Sequence, residues 1–524
     1  MLTEILIFLL TTILGYFLYV YKKIHRKYDE SGVKYLPGLP FFGNTIRSTF
    51  LWSHIIDDIE TVYKAFPKER YVGYMELTSP YILIRDPELI KQITVKDFDH
   101  FTNHKEFFSE EVEPLFGGSL LMMKGDRWRD MRTTLSPAFT GSKMRLMMPF
   151  MVEISKNIVE DLKDHLDEDI DVNDLMYRYT TDVIASAAFG LQVNSVKERD
   201  NQFFKMGRSL FTFTHTQRAY FFFCLMFPKL AKMLKLQLFP EGTTRFFKDI
   251  VTTTMEQREK NNIVRPDMIQ LLMEAVKGTL SANSTEKEKE VGFATVQEEI
   301  KQNAVTREWS QNELVGQVFL FFIAGFETSS STLTLLLHEL AINPAIQEKL
   351  YQEIKDFEET RGNLTYENIG EMKYLDCVVN ETLRKWAAAI IMDREVTKPY
   401  ELPPPHEGGK PYKLKPGDIV YNVVNSIHRD PQYYPEPEAF DPERFSEENK
   451  HNIKPFTFMP FGMGPRACIG SRFAILELKV LVYSIVLNYK ILKCKKTLDP
   501  IKLKALDFNL MALGGTWVKL EARK

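Results

Sequence analysis

The stretch Phe461–Gly470, FGMGPRACIG, sets the tightest local limit on how this chain folds. Its glycines and its proline force the backbone to turn, because glycine reaches conformations closed to other residues and proline fixes φ. The largely apolar run from Phe473 to Val486 follows at once and predicts a long helix. Cys468 therefore stands on a loop whose amide hydrogens are free to point at its sulfur. A cysteine that only fills space in a core needs no such setting.

Cys468 is predicted to bind a metal as its thiolate. Amide donors and the neighbouring Arg466 lower the pKa of a thiol and favour the thiolate. A zinc site would need three more ligands nearby, and no histidine or cysteine is spaced for it. One strong thiolate facing a flat partner fits haem iron, where cysteine ligation favours cleavage of an O–O bond. The competing interpretation is a buried free cysteine.

The N-terminal segment has the features of a membrane anchor. No charged residue occurs from Ile5 to Tyr21, the short end of the length that spans a bilayer as a helix. Basic residues crowd the stretch 22–27, and the positive-inside rule places that side, with the body after it, in the cytosol. A cleaved signal peptide would need a basic start, whereas Glu4 precedes the run. We predict an uncleaved signal anchor over residues 1–27.

The remainder is predicted to be a Pro/Gly hinge, 28–46, and one large domain, 47–524. Its net charge of −3, from 67 basic and 70 acidic residues, gives no reason to expect nucleic acid. Four cysteines without a CxxC pair do not make a disulfide framework, so the body is typical of a reducing compartment.

Helical periodicity dominates from about residue 86 to 395. Two short patterns, Tyr71–Leu77 and Tyr81–Arg85, predict a β-hairpin, and Ile419–Val424 predicts a further strand. The polar segment 281–305 predicts an exposed loop or a frayed helix. The pattern therefore favours a mostly helical domain with a smaller β-rich part.

Two residue pairs share helical faces. Glu381 and Arg384 lie three residues apart and can form an ion pair, while Trp128 and Arg132 lie four apart and present an indole N–H and a guanidinium together. Alone, the first pair is equally typical of a solvated surface and the Trp128 indole is equally typical of a core or an interface.

The sequence AGFET, Ala324–Thr328, lies within a predicted helix, Leu314–Leu340. Small residues at its start leave space beside the helix, and glycine with threonine in mid-helix permits a local bulge. Adjacent Glu327 and Thr328 side chains can relay protons. The competing interpretation is a helix weakened by glycine, with Glu327 on a solvated face.

Taken in chain order, Trp128–Arg132, Ala324–Thr328, Glu381–Arg384, Pro442–Phe445 and Phe461–Gly470 match the WxxxR, AGx(D/E)T, ExxR, PERF and cysteine-loop motifs of the cytochrome P450 family. With the anchor and the hinge, the chain resembles that family over essentially its whole length. The resemblance implies a mainly α (α+β) helical prism with a small β-rich subdomain, an N-terminal membrane anchor helix and haem b as cofactor.

The resemblance also implies residue roles. Cys468 would be the axial ligand of the haem iron, and Thr328 and Glu327 would be catalytic by delivering protons to bound dioxygen. His104 stands where relatives often carry an arginine. The structural residues behind the haem would be Glu381, Arg384 and Arg444. The cofactor-binding residues would be Cys468, Trp128, Arg132, Arg394, Arg466, Ala324, Phe461 and His104.

A set of apolar residues is implied to face the substrate, with ordinary core packing as the competing interpretation. They are Phe107, Phe108, Phe116, Phe321, Ala388, Ile390, Ile391, Met511 and Leu513. One departure from the family concerns Ala387–Ala389, where relatives commonly carry proline. Alanine there predicts a looser pocket wall or a longer preceding helix.

The implied reaction is monooxygenation of an apolar small molecule with dioxygen. NADPH electrons would arrive through NADPH–cytochrome P450 reductase, with a cytochrome b-type donor as a second candidate, because no GxGxxG precedes a helix. The segment SRFAILELK after the cysteine is similar to insect microsomal detoxification members. That similarity implies xenobiotics, insecticides or plant compounds as substrates, at the cytosolic side of the endoplasmic reticulum membrane.

Two other functions compete with this one. A haem-thiolate isomerase would rearrange peroxides without a reductase, but it has no need of the Glu327–Thr328 pair. A membrane-bound haem sensor or carrier of apolar ligands would bind them and form no product.

Overall fold

The computed structural model describes most of the chain. It covers residues 1–106, 110–211, 217, 220, 223–224, 228–237, 239–277, 291–296, 307–505 and 510–523. Long α-helices dominate this part, and its short strands are gathered in three small sheets. The chain is mainly α with a small β-rich part, and this prediction is confirmed.

The α-helices of the described residues range from single turns to a helix of 32 residues. In chain order they are α1 (Leu2–Ser31), α2 (Ile46–Thr49), α3 (Ile55–Ala65), α4 (Pro87–Lys91), α5 (Pro114–Gly117), α6 (Gly125–Leu135), α7 (Gly141–Leu162), α8 (Val172–Phe189), α9 (Gln202–Ser209), α10 (Pro228–Met233), α11 (Glu241–Asn261), α12 (Met268–Val276), α13 (Gln311–Ile342), α14 (Pro344–Arg361), α15 (Lys373–Lys385), α16 (Val424–His428) and α17 (Ser471–Asn488).

Helix α1 is exposed along its apolar first part and is long and apolar enough to cross a membrane. Its last turns are packed, since Ile24 and Tyr28 are buried. The hydroxyl of Tyr28 lies 3.0 Å from the carbonyl oxygen of Tyr74 and 2.9 Å from that of Tyr81. The predicted boundary at residue 27 thus falls within one continuous helix, which ends at Gly32 in the left-handed conformation.

The largest sheet holds four strands. β1 (Tyr71–Glu76) and β2 (Ser79–Ile84) form the predicted hairpin, and β2 pairs in parallel with β7 (Ile419–Asn422). β4 (Met392–Glu395) is antiparallel to β7. The predicted strand that starts at Ile419 ends before Val424, because Val424–His428 is helical. The smaller sheets comprise β3 (Ile170–Asp171), β8 (Tyr489–Lys493) and β9 (Trp517–Ala522), and β5 (Tyr400–Leu402) with β6 (Tyr412–Leu414).

Helix α13 runs through the middle of the larger core and packs along α8. A capping box starts it, because Ser310 accepts from the Glu313 N–H while the Glu313 carboxylate accepts from the Ser310 N–H. At Gly325 an added Cβ would lie 3.0 Å from Cδ1 of Ile184, so glycine allows α8 and α13 to approach closely. The helix is unbroken through this point, and the predicted bulge is not formed.

Residues 291–296, the described part of the segment 281–305, form a loop as predicted, but this loop is only partly exposed, with Phe293 at 42% exposure. Val291 and Ala294 are buried, and the Val291 carbonyl accepts from Nζ of Lys479 at 2.6 Å. The Phe293 N–H donates to Asp376 at 3.1 Å. The sequence pattern missed this because the apolar residues of a short loop have no periodicity that marks them as packed.

Candidate active site

The cysteine loop is built by glycine conformations that no other residue adopts easily. Gly464 has φ +72°, and a Cβ there would collide with the carbonyl oxygen of Thr94. The loop closes when the Cys468 N–H donates to the Phe461 carbonyl at 2.8 Å. Helix α17 begins at Ser471, two residues before the predicted start. The side chain of Cys468 is exposed because its thiol opens to a cavity between the cysteine loop and the rest of the molecule.

The electrostatics of Cys468 differ from the prediction. Burial raises the pKa of the thiol, and the Gly470 amide and the Arg132 guanidinium only partly oppose that change. The expectation that the loop by itself lowers this pKa is therefore wrong. A thiolate at this place needs a cationic partner on its cavity side, which a haem iron is.

The cavity beside Cys468 measures about 680 Å³ and separates the cysteine loop from helix α13. Most of its wall is apolar. Ala324 and Thr328 lie on one side, and Phe461 and Cys468 on the other. The pairing of a single thiol with a wide apolar space matches the sequence prediction of a ligand that faces something flat.

Three arginines line one end of this cavity, together with Trp128. Arg466 donates to the carbonyls of Thr102 and Met123, each at 2.8 Å, and its guanidinium lies 4.0 Å from the Trp128 ring centroid. Arg132 and Arg394 are 3% and 2% exposed, which is rare for a charged side chain.

Burial disfavours the charged form of these arginines. It lowers the pKa of Arg132 and of Arg394 to about 10 each, and burial together with Arg394 lowers that of Arg466 to about 8. Nε of Arg394 is buried without a hydrogen-bond partner among the described residues. Three clustered guanidiniums are costly unless an anion joins them, and the two propionates of a haem are such anions. The residues present therefore fit haem.

His104 belongs to the same end of the cavity. Its Nδ1 lies 3.0 Å from Oδ1 of Asp393, the neighbour of Arg394 on β4. Burial lowers the pKa of His104 and outweighs Asp393. Burial opposes ionisation of Asp393, but His104, the Lys105 N–H and the charge of Arg394 lower its pKa to about 2. Asp393 was missed from the sequence, and it balances part of the positive charge here.

Helix α13 presents the predicted acid–alcohol pair at the cavity wall. The Thr328 hydroxyl donates to the Ala324 carbonyl at 2.6 Å, four residues back. Glu327, 8% exposed, accepts a hydrogen bond from the hydroxyl of Tyr177 at 2.8 Å. Glu327 therefore does not lie on a solvated face. Tyr177, on α8, was missed because nothing in the sequence links it to a residue 150 positions away.

The predicted structural network lies behind the cysteine loop. Glu381 and Arg384 are both fully buried and form a bidentate pair, at 2.7 and 2.8 Å. The Asp441 N–H donates to Glu381 at 2.8 Å, and Nε of Arg444 lies 3.5 Å from the same carboxylate. The structure thus brings all three predicted residues together.

His428 joins this network to the cysteine loop and was missed from the sequence. Its Nδ1 lies 3.1 Å from the Arg384 carbonyl, and its Nε2 accepts from the Met459 N–H at 2.9 Å. In return, Arg384 donates to the His428 carbonyl at 2.8 Å. Burial and the Arg384 charge lower the pKa of His428 to about 3, so the ring is neutral. One neutral tautomer satisfies both contacts, with Nδ1 as donor.

The predicted substrate-facing residues divide into two groups. Phe116, Phe321, Ala388 and Ile391 line the cavity. The other described ones do not, because Ile390 packs in a separate apolar cluster, Met511 lies against the core beside Tyr177, and Leu513 is 54% exposed. Phe107 and Phe108 lie outside the described residues. Lining residues that the sequence did not reveal are Ile184, Ala187, Leu210, Phe211 and Phe239.

The predicted effect of the alanines after Trp386 is a change in the pocket wall. Helix α15 ends at Lys385, so the alternative of a longer helix is wrong. Ala388 and Ala389 line the cavity directly. Their small side chains leave room that a larger residue would fill.

The helical fold, the Cys468 thiol facing a wide cavity and the arginines at its end fit a haem protein in which a cysteine binds the iron. The family model "Cytochrome P450" matches residues 33–515. Relatives include Probable cytochrome P450 9f2 of Drosophila melanogaster, 42% identical over 509 residues that cover 95% of each chain. Cytochrome P450 9e2 of Blattella germanica is 41% identical over 517 residues, 95% of this chain and 94% of its own. This chain belongs to the cytochrome P450 family and is a haem-dependent monooxygenase.

Proposed function

We propose that this enzyme inserts one oxygen atom of dioxygen into apolar small molecules, including xenobiotics such as insecticides and plant compounds. The observation that carries the proposal is the apolar cavity of about 680 Å³ with Cys468 on one side and Ala324–Thr328 on the other. A ligand in this cavity lies between Cys468 and the segment of α13 that carries Glu327 and Thr328. Within the described lining, this is the only helix segment with adjacent acid and alcohol groups.

The overall reaction balances as a monooxygenation. A substrate C–H bond, dioxygen, two electrons and two protons give an alcohol and water, and NADPH supplies the electrons as it becomes NADP⁺. The haem, when bound, supplies the iron that activates dioxygen. Cys468 would bind the haem iron, with Phe461 beside it in the cavity lining, and Trp128, Arg132, Arg394, Arg466 and His104 would hold the propionates.

Proton handling falls to Glu327 and Thr328 on α13. Ala324 leaves space at the cavity wall for dioxygen, one turn before the Thr328 hydroxyl that bonds its carbonyl. A carboxyl group beside a hydroxyl passes a proton over hydrogen-bond distance. This role separates a monooxygenase from a peroxide isomerase, which takes up no protons from solvent.

The aromatic side chains that line the cavity select the substrate. Phe116 packs edge-on against Phe239 at 5.8 Å, and Phe321 packs edge-on against Phe139 at 5.3 Å. Aromatic side chains supply large apolar surfaces, so the wall favours substrates by area buried rather than by specific hydrogen bonds. The resemblance of the segment SRFAILELK to insect microsomal detoxification members supports detoxification as the physiological setting.

Electrons come from a separate protein, NADPH–cytochrome P450 reductase, with a cytochrome b-type donor as an alternative. Helix α1 holds the enzyme in the endoplasmic reticulum membrane as a single-pass anchor. The basic residues of 22–27 support a cytosolic catalytic domain. Because Tyr28 fixes the end of α1 to the sheet, the domain is held close to the bilayer.

Reconstitution tests the proposal. The full chain, loaded with haem in lipid vesicles, is given reductase, NADPH and a panel of apolar compounds under ¹⁸O₂. We expect NADPH-dependent products that carry one labelled oxygen. Conversion of peroxides without reductase would support the isomerase instead, and ligand binding without any product would support the sensor or carrier. The Thr328→Ala variant is expected to consume NADPH with less product and more hydrogen peroxide.

A further inference from the structure

We propose that Tyr177 is the positioning residue of proton delivery, because its hydroxyl holds the Glu327 carboxylate at the cavity wall. The proposal deepens the proposed function and rests on it. Tyr177 belongs to α8, a helix that contributes only apolar side chains to the described cavity lining. It reaches the site through a hydrogen bond from its hydroxyl to Glu327, at 2.8 Å, and the same hydroxyl lies 3.8 Å from Sδ of Met511.

Both partners of this bond are shielded from solvent. Tyr177 is 5% exposed and Glu327 is 8% exposed. A hydrogen bond to a carboxylate is stronger in such surroundings than in water, and it favours the ionised form. The hydroxyl therefore fixes the direction of the Glu327 side chain and stabilises its charge at the same time.

The ring of Tyr177 is itself held in place on two sides. It stacks on Phe326, the neighbour of Glu327 on α13, with centroids 5.0 Å apart and an angle of 26°. The guanidinium of the half-buried Arg208 lies 4.3 Å from the ring centroid. The phenol thus has little freedom to turn away, and the position of its hydroxyl is set before any substrate binds.

Glu327 stands between Tyr177 and the cavity. It lines the cavity, while its Oε1 accepts from Tyr177 on the other side of α13. In the proposed relay, a proton from solvent is taken up by the carboxylate of Glu327. From the carboxylate it moves to the neighbouring Thr328 and then to the oxygen being reduced. Without the hydroxyl, the carboxylate loses one of the contacts that fix its direction, and more of the reduced oxygen leaves as hydrogen peroxide.

Tyr179 provides a matched control on the same helix. It is fully buried, and its hydroxyl donates at 3.1 Å to the backbone carbonyl of Glu477 rather than to a carboxylate. Tyr179→Phe and Tyr177→Phe remove the same atom from the same helix. Only Tyr177→Phe removes a hydrogen bond from the proposed relay.

The experiment compares the full-length, haem-loaded wild type with Tyr177→Phe and Tyr179→Phe. Product, NADPH and hydrogen peroxide are measured from pH 6 to 8.5. Loss of a hydrogen bond to a charged group is worth about tenfold in an equilibrium, so we expect about a tenfold fall in the ratio of product to peroxide for Tyr177→Phe. Its pH profile is expected to move to higher pH, because the protonated carboxyl persists longer without the donor. Tyr179→Phe is expected to keep the wild-type ratio and profile.

A second readout needs no turnover. The C–O stretching band of the carbon-monoxide complex reports the electric field on the α13 side of the haem, and we expect it to shift or broaden in Tyr177→Phe alone. An unchanged ratio and an unchanged band in Tyr177→Phe would overturn the proposal, as would equal losses in both variants. A wild type without NADPH-dependent product would refute the proposed function instead, and the band would still report whether Tyr177 positions Glu327.

Discussion

Replacing His428 with leucine tests the connection between the Glu381–Arg384 network and the cysteine loop. Leucine fills a similar volume, so the change removes hydrogen bonds without opening a large cavity. It leaves two buried backbone groups without their partners, the Met459 N–H and the Arg384 carbonyl. Met459 lies two residues before Phe461, where the cysteine loop begins.

The expected cost follows from those two groups. A buried polar group that loses its partner costs about 1–3 kcal/mol, so His428→Leu is expected to lower the free energy of unfolding by about 2–6 kcal/mol. That is a large part of the total stability of a typical domain, about 5–15 kcal/mol. His428→Gln restores an acceptor near the Nε2 position and is expected to recover about half of the loss.

The pH dependence of stability is an independent test of the role of His428. The folded pKa of His428, about 3, lies below its ordinary value of 6.5, so the unfolded chain binds the proton more readily. The contribution of neutral His428 to stability is complete above pH 6.5 and falls as the pH drops from there towards 3. Between pH 6.5 and pH 5 the fall is about 2 kcal/mol. Both His428 variants are expected to lack this component.

The assay is denaturant titration of the haem-loaded full chain, followed by loss of the thiolate-type Soret band of its carbon-monoxide complex. His451→Leu is the control, since His451 is an exposed histidine on a short 3-10 turn. Equal midpoints for His428→Leu and His451→Leu would refute the reasoning. So would a His428→Gln variant that retains the acid sensitivity of the wild type.

Three further predictions concern separate parts of the molecule. Glu381→Gln leaves Arg384 buried beside a neutral amide and is expected to lower the free energy of unfolding by about 3–5 kcal/mol. The measurement is the yield of haem-loaded protein, which is expected to be lower than that of a control variant at an exposed residue, Glu447→Gln. Phe239→Ala removes an aromatic side chain from the cavity wall. In spectral titrations, bulky apolar ligands are expected to bind about tenfold more tightly relative to small ones. Equal effects on bulky and small ligands would contradict the assignment of Phe239 to the cavity wall. Tyr28→Phe removes the hydroxyl that joins α1 to the sheet, so protease sensitivity after residue 31 is expected to rise, and a cleavage rate equal to that of the wild type would contradict this role of Tyr28.

The sequence was most informative where function depends on residues that are close in the chain. Cys468 and its glycines, the Glu327–Thr328 pair and the Glu381–Arg384 pair are each set by spacing on one loop or one helix face. Local spacing also predicted the β1–β2 hairpin and helix α13. These elements form from short-range geometry, which a pattern of residues carries directly.

Partners that come from distant segments were not predictable. Tyr177 meets Glu327 across two helices, and His428 meets Met459 from a separate short helix. Such contacts depend on tertiary packing, and their residue types are common in any core. The prediction of a lowered pKa for Cys468 failed for the same reason. Burial is a property of the assembled fold, and its effect on the pKa outweighs that of the local amide donors.

The same limit applies to the pocket. Phe116 and Phe321 were predicted to line it and do so, whereas Ile390 belongs to another cluster although its neighbour Ile391 faces the cavity. Because the consecutive residues Ala388 and Ala389 also line the cavity, no simple alternation along the chain marks the lining residues, and the path of the backbone in the assembled fold decides which side chains face it.

The most direct test of haem-thiolate chemistry is a carbon-monoxide difference spectrum of the reduced, haem-loaded full chain, with Cys468→Ser measured beside it. We expect a thiolate-type Soret band in the wild type and its loss in the variant. A wild-type band typical of a neutral axial ligand, or a thiolate-type band that survives in Cys468→Ser, would contradict the assignment of Cys468 as the iron ligand.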